Sequence, residues 1–461
     1  MHAVTEEMTR SHDATSCSST SLPSALRDHS ALLLRLVLCL FLINCKPSEP
    51  FLALYLTRDK GLSEATLDVD VWPYDTYGAF AFLLPLGAAA EVLGYRSVIL
   101  LGLLCREATR ALLLFGEGTV ATMAMMQLFY AAATGATTVY FAYILTAVPP
   151  ELRAAATSCA FVAFHAGNVC GSMLGSVLMP LVELRTLFFI SWGFTTAGAL
   201  AFLLLPAPLY VPPPSLAALL CRDGPRAVGA ELCELYGADL QRLWLLWWCT
   251  GYAAWNIVAN YYQTQLLGLA DGADDEQAFG YIEAGLEAAM VIGSACAALM
   301  PAPTFRADAA HLCVGALGVA GCLGATLLRS PPPTLASTAA LNATALGALG
   351  FQQARGTVAV AAAIGGRRRY SVVLTVNAFL ALGGAMLAQQ VASAFGAGTA
   401  AHYWMAIGAM LLLCLVSGGL FLCDSAFGAA TPNLLQPDPD ASAADQPTAG
   451  PAASDVQCSL R

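Results

Sequence analysis

The feature that most limits this chain is the recurrence, along nearly its whole length, of apolar runs of about 20 residues. That is the length an α-helix needs to cross about 30 Å of hydrocarbon. Charged residues fill only 11% of the 461 positions and hydrophobic ones 57%, where a soluble domain keeps its surface wet with about 25% charged residues. The chain cannot cover itself in water, so lipid must be its solvent. It reads as an all-α polytopic membrane protein.

Twelve spans are expected near 31–57, 71–93, 96–115, 118–147, 153–180 and 184–206, then 242–268, 277–300, 309–328, 334–364, 370–396 and 401–423. The longest polar interruption, the proline-rich stretch 207–241, separates a six-helix half over 31–206 from a second over 242–423. Residues 1–30 are polar, with no short apolar core and no small-residue cleavage site, so the first span is expected to act as a signal anchor. The stretch 424–461 has a composition that cannot fold alone. Both ends are expected to be disordered. Orientation follows from the arginines. With the N-terminus inside, Arg10, Arg27, Arg96, Arg153, Arg222, Arg226, Arg242, Arg306 and Arg367–Arg369 collect on the cytoplasmic side, and the acidic loops 68–70 and 271–276 lie opposite. Both termini are then cytoplasmic.

Several functions are excluded. A net charge of -10 without a basic stripe argues against nucleic acid as a partner. The fifteen cysteines are scattered without a C-x-x-C pair and read as small packing residues. No G-x-S-x-G, H-E-x-x-H or P-loop occurs, and the six histidines form no cluster. Enzyme activity, a metal and a cofactor are therefore not expected. His165, well inside a span, reads as a packed core histidine. The lone N-x-T, at Asn342, falls inside span ten and should not be glycosylated.

Function is then to be sought among the polar residues inside lipid, because a charge there costs about 2.5–3.5 kcal/mol on insertion scales. The stretch "LVLCLFLINCKPSEPFLALYL", residues 36–56, sets Lys46 and Glu49 among Pro47 and Pro50. Proline removes backbone donors, so the helix should open there and leave carbonyls facing a cavity. Span two adds Asp75, span four Tyr130, Thr137 and Tyr140, span seven Asn260, span eight Glu283 and Glu287, and span eleven Asn377. Glu107 and Arg110, three apart, are expected to pair, which leaves Arg106 as a candidate cation. A cavity holding Glu49, Glu287 and Asp75 among aromatic rings suits a cationic or neutral heterocycle and is hostile to a dianion. Gly167, Gly171 and Gly175 form a small-residue ladder that lets span five approach a neighbour closely.

Two six-helix halves joined by a cytoplasmic connection is the plan of the major facilitator superfamily. The turn "GAAAEVLGYRS" resembles that superfamily's G-x-x-x-D-x-x-G-x-R loop at Gly87, Glu91, Gly94 and Arg96, where an acid and a base latch helix ends together. Within that plan, "KPSEPFLALYLTRDKGLSE" resembles the first-helix signature of the reduced folate carrier and thiamine transporter family. "LFYAAATGATTVYFAYI", "WWCTGYAAWNIVANYYQ", "YIEAGLEAAMVIGSA" and "RYSVVLTVNAFLAL" resemble its fourth, seventh, eighth and eleventh helices in order. The resemblance implies a plasma-membrane carrier that moves a water-soluble vitamin by alternating access, with a proton or organic anion as a candidate counter-substrate. It implies substrate contacts at Glu49, Tyr140 and Asn260. The chain departs from both branches of the family. Thr137 stands where thiamine carriers place a glutamate and folate carriers an arginine, and Asp75 replaces a tryptophan. The folate-type cations of helices ten and eleven are replaced near Gly347 and Ala385. Asp75 could restore the missing carboxylate from the facing helix. The expected site is Glu49, Asp75, Thr137, Tyr140, Asn260 and Glu287, with Lys46, Arg106 and Asn377 as candidate substrate or anion contacts. Thiamine or a related cationic heterocycle is the expected substrate, with folate exchange and a non-transporting receptor on a carrier fold as the alternatives.

Overall fold

A computed structural model describes residues 29–430, apart from 150–151, 207–215, 238, 302, 329–332, 365–369 and 396–397. The expectations for residues 1–28, 431–461 and Arg367–Arg369 lie outside the described residues, whereas 424–430, expected to start the disordered tail, continue the last helix. The first apolar run does not form one helix. α1 (Ser30–Asn44) stops ahead of Pro47, a 3₁₀ turn covers Glu49–Phe51, and α2 (Leu52–Arg58) resumes the path. The remaining spans are α3 (Pro73–Leu93), α4 (Tyr95–Phe115), α5 (Val120–Ala147), α6 (Arg153–Leu178) and α7 (Leu184–Leu203) in the first half. After the connecting helix α8 (Leu216–Leu235) come α9 (Asp239–Leu267), α10 (Ala273–Ala298), α11 (Phe305–Leu327), α12 (Leu335–Ile364), α13 (Tyr370–Phe395) and α14 (Thr399–Ala430). With α1 and α2 counted as one broken span, these make the twelve spans of a multi-pass membrane protein, six in each half. Six of the described segments, Ser30–Arg58 among them, are long and apolar enough to cross a membrane by length and composition alone. Several of the others carry the polar residues that line the interior.

The interval 207–241 is more than a polar linker. It contains α8, kinked at Gly224, where φ is +79° and only a residue without a Cβ sits comfortably, with Pro225 following. Past its end, the Tyr236 hydroxyl donates to the Asn377 side chain on α13. At the turn between α3 and α4, Gly94 has φ +84°. Arg96 donates to the Leu205 and Leu203 carbonyls at the end of α7, a cation satisfying orphan carbonyls at a helix C-terminus. So the basic member of the expected latch serves α7. The Glu91 side chain lies outside the described residues.

Two apolar cores organise the halves. One, around Leu40, Tyr143 and Phe202, is internal to the first half. The other joins Phe51, Trp72 and Phe188 of the first half to Trp244, Tyr261 and Leu323 of the second. The first-half members of this shared core come from the end of the molecule that carries residues 51–72, so the halves are sealed there.

The glycine ladder has a specific partner. A Cβ on Gly167 would stand 2.6 Å from the Phe41 carbonyl oxygen, one on Gly171 2.4 Å from the Lys46 nitrogen, and one on Gly175 2.1 Å from the Pro47 oxygen. α6 is the surface on which the break of the first span rests.

In the second half Asp308 and Arg355 form an ion pair at 3.0 Å with side chains 0% and 2% exposed. The Trp244 indole donates to the other Asp308 oxygen at 3.1 Å, and the Arg355 guanidinium also reaches the Pro301 carbonyl. Burying such a pair is tolerable only when the remaining hydrogen-bonding capacity is met, and here α9, α11 and α12 meet it. Asn342 is also fully buried. It donates to Gln265 and accepts from Tyr403.

Candidate functional site

The break in the first span leaves backbone groups that a membrane cannot satisfy. The sequence suggests that these face a cavity; the structure gives them partners. The Ser48 amide donates to Ser191 Oγ of α7 at 2.8 Å. Gln263 of α9 donates to the Glu49 carbonyl at 3.0 Å and accepts from the Ala53 amide at 3.3 Å. One side chain of the second half thus splices the broken helix of the first. Gln263→Leu is expected to leave both groups unpaired at a cost of about 1–3 kcal/mol each, read as a fall in the melting temperature of the purified protein.

The Glu49 carboxylate is bracketed by cations. Lys46 Nζ lies 2.9 Å from one oxygen and Arg110 Nη2 3.1 Å from the other, with the Tyr130 hydroxyl at 3.5 Å. Lys46 stands over the Tyr130 ring at 5.6 Å. This corrects the expected pairing of Glu107 with Arg110. Glu107 turns the other way and accepts from Trp192 and Thr196 of α7. Residues three apart can pair on a helix surface, but here each meets partners outside its own helix.

Around this triad lie the other acids. Asp75 is in electrostatic range of Glu49, Lys46 and the Tyr252 ring of α9. One of its oxygens is buried with no hydrogen-bond partner. Glu283 is in range of Glu49, Lys46 and Glu287 and accepts from Tyr262 at 2.7 Å. Glu287 reaches across to α6, bonded to His165 Nδ1 at 2.8 Å and Asn168 Nδ2 at 3.1 Å. His165 is therefore not a packed core histidine but half of a bridge between the halves. Asn260 donates to Thr76 and Asn256, beside Asp75, at 3.4 and 3.3 Å. Tyr252 and Trp255 present an aromatic wall with ring centroids 5.1 Å apart, and the Trp255 indole nitrogen is buried without an acceptor.

Tyr140 and Asn377 lie apart from this cluster, whereas Arg106 is in electrostatic range of Tyr130, Arg110 and Glu49. Tyr140 is wedged inside the first half, its hydroxyl donating to the Leu36 carbonyl at 3.0 Å. Asn377 is held against Tyr236. Thr137 accepts from Arg106 at 3.3 Å. Arg106 is 8% exposed and has no carboxylate partner among the described residues. The two line a cleft between α1, α4 and α5, together with Leu40, Ile43 and Tyr140. Tyr262, Gln263 and Asn168 carry no signal in the sequence beyond being polar in an apolar run.

The halves are also tied by Arg58 with Glu276, Trp72 with Thr264, Tyr261 with the Asp68 carbonyl, and Ser176 with Gln277. All sit toward the sealed end.

Residues 29–210 match the reduced folate carrier family. Human thiamine transporter 2 is 34% identical over 177 residues, 37% of this chain and 36% of that protein. Mouse thiamine transporter 1 is 34% identical over 163 residues, covering 35% and 32%. The human reduced folate transporter is 30% identical over 171 residues, covering 36% and 29%. The matched part of this chain thus spans about a third of the length of these relatives. Among solved structures, a POT family transporter in complex with a thioalcohol-conjugated peptide superposes with TM-score 0.63 at 11% identity, over 86% of this chain and 96% of that one. The nucleoside transporter NupG superposes with TM-score 0.62 at 14% identity, over 85% and 99%. These place the fold in the major facilitator class.

Proposed function

We propose that this chain, with the reduced folate carrier sequence in its first half and a major facilitator fold throughout, carries a water-soluble vitamin by alternating access. The favoured substrate is thiamine or a related cationic heterocycle. The observation that carries this reading is Asp75: a carboxylate with a buried, unpartnered oxygen in electrostatic range of Tyr252, whose ring stands 5.1 Å from that of Trp255. A cationic ring would supply the missing partner and gain cation–π contact. Glu49 does not have that freedom, because Lys46 and Arg110 already hold it. Its role is to neutralise the break and keep both cations in place, and substrate reaches it by displacing one of them. By the arginine rule the sealed end is extracellular, so both termini are cytoplasmic and the site is reached from inside. The plasma membrane is the setting the related carriers suggest.

The test is uptake of radiolabelled thiamine, with folate as competitor, in transporter-deficient cells. Asp75→Asn is expected to lower thiamine uptake by about tenfold, the equivalent of 1.4 kcal/mol of lost ion pairing. Unchanged uptake in that variant would overturn the cation site. One observation favours folate exchange as the second reading: the Arg106 guanidinium has no carboxylate partner among the described residues and could hold an anionic tail. Folate uptake abolished by Arg106→Gln would establish it. Measurable flux of any vitamin excludes a receptor that does not transport.

A further inference from the structure

The segment between the first two spans, which runs as a π-helical turn over Leu67–Val71, holds an acid that the substrate site does not use. Asp68 is 1% exposed, although it lies in a connection. Its Oδ2 accepts from Thr399 Oγ1 at the start of α14, 2.6 Å away, and its backbone carbonyl accepts from Tyr261 of α9 at 3.2 Å. Its Oδ1 is buried without a hydrogen bond of ordinary geometry, the Thr264 hydroxyl of α9 lying close enough to favour the ionised carboxyl. No lysine, arginine or histidine pairs with it among the described residues. A first-half aspartate is thus clamped by two helices of the second half in the sealed seam, its carboxyl by Thr399 and its backbone by Tyr261, without a counter-charge.

We propose that Asp68 is a proton-binding site whose occupancy closes the seam between the halves. An ionised carboxylate buried without a cation is costly, whereas a carboxylic acid is not. In the sealed state a proton on Asp68 removes the charge, and Thr399 can hold a neutral carboxyl group while Tyr261 holds the backbone. When the halves part at this end, water reaches the carboxylate and the proton leaves. Burial pushes the Asp68 carboxyl up to about 6 in the sealed state, with Thr399 and Thr264 pulling against it and Glu64 adding to it. An exposed aspartate titrates near about 3.9.

The neighbours leave this assignment to Asp68. Its own turn offers Glu64. α3 contributes Tyr77, and α9 contributes Tyr261 and Thr264. α14 contributes Thr399, Tyr403 and His402. α5, which also packs on this segment, has no Asp, Glu, Lys, Arg or His in its length. His402 is the competitor. It is fully buried, stacked on Tyr261 at 3.9 Å, with Nε2 lacking a partner.

The sign of the effect is fixed by linkage. The sealed state binds the proton more tightly than the parted state, so acid favours sealing and the preference is lost as pH rises through about 6. Between pH 7.5 and pH 5 the ratio of parted to sealed molecules should fall about tenfold, from the two titration points.

The experiment is pulsed electron paramagnetic distance measurement on the full chain in lipid nanodiscs without substrate. Spin labels replace Asp59 and Asp271, exposed residues of opposing connections at the sealed end, in a cysteine-depleted background. Wild type should shift toward the short distance by about tenfold in population ratio at pH 5. Asp68→Asn, which keeps a polar group of the same shape, should hold the short distance at both pH values. His402→Asn should retain the wild-type response. A wild-type distribution identical at the two pH values would overturn the proposal, as would a pH response that survives in Asp68→Asn. Loss of the response in His402→Asn alone would move the proton to the histidine and overturn it as well. The proposal rests on alternating access but not on the vitamin, so failure of substrate uptake and failure of this pH response are read in separate experiments.

Discussion

Asp308→Ala should cost the protein about 3–5 kcal/mol, the usual penalty for removing one partner of a buried ion pair. A typical domain has only about 5–15 kcal/mol to lose. The size of the effect comes from what stays behind. The Arg355 guanidinium, 2% exposed, keeps its charge and loses its carboxylate, and the Trp244 indole loses its acceptor. Arg355→Ala should cost a similar amount, and the two losses should not add, because either change alone already destroys the pair. Melting temperature of the purified protein, followed by fluorescence-detected size exclusion, checks this. Asp308→Leu combined with Arg355→Met should recover most of the loss, since replacing a buried pair by apolar groups of similar size is often neutral or better. Single variants that melt with the wild type would show that α11 and α12 do not depend on the pair.

The second large effect is steric. Gly171→Leu would drive a Cβ to within 2.4 Å of the Lys46 nitrogen, and Gly175→Val one to within 2.1 Å of the Pro47 oxygen. Both obstacles are backbone of the broken span, which proline has already stiffened, so they cannot swing aside as a side chain would. Overpacking of this kind costs about 1–3 kcal/mol at ordinary core sites and more where only backbone can move. Each variant should lose monodisperse protein or, if it folds, lose vitamin uptake, because the shift is transmitted directly to Lys46 and Glu49. Gly193→Leu is the control. It adds the same bulk on α7, where a Cβ meets nothing within 4 Å, and should behave as wild type. Equal damage at Gly171 and Gly193 would mean that bulk in the bilayer, not contact with the break, is responsible.

Much of the architecture was legible in the sequence, because a bilayer leaves a chain few choices. Span lengths, the interruption at 207–241 and the proline-flanked break all follow from apolar run lengths and from proline chemistry. The parts that were not legible are those decided between helices. Glu107 and Arg110 share a helix face at a spacing that permits pairing, and nothing local says that Glu49 and Trp192 will outbid that pair. His165 reads as core because the sequence does not say which face of α10 lies opposite α6, so Glu287 remains invisible as its partner. Tyr140 falls at a position the resembled family uses, yet it packs beside Phe202 with its hydroxyl on the Leu36 carbonyl. Gln263 was the least readable. A glutamine in a helix signals little until the unpaired amide and carbonyl of a distant break are set beside it.

The aromatic wall of α9 has a practical side. Four of the chain's seven tryptophans, Trp244, Trp247, Trp248 and Trp255, lie on this one helix, and Trp72 is hydrogen-bonded to it through Thr264. Ultraviolet emission from the unmodified protein is therefore mostly a spectrum of α9 and its immediate surroundings. Trp255 borders the candidate site, and Trp72 bridges the seam that must part for the site to face the other side of the membrane. Ligand arrival should quench or shift one component, and parting of the halves should redden another. Turnover could then be timed by stopped-flow without a dye, a label or a cell.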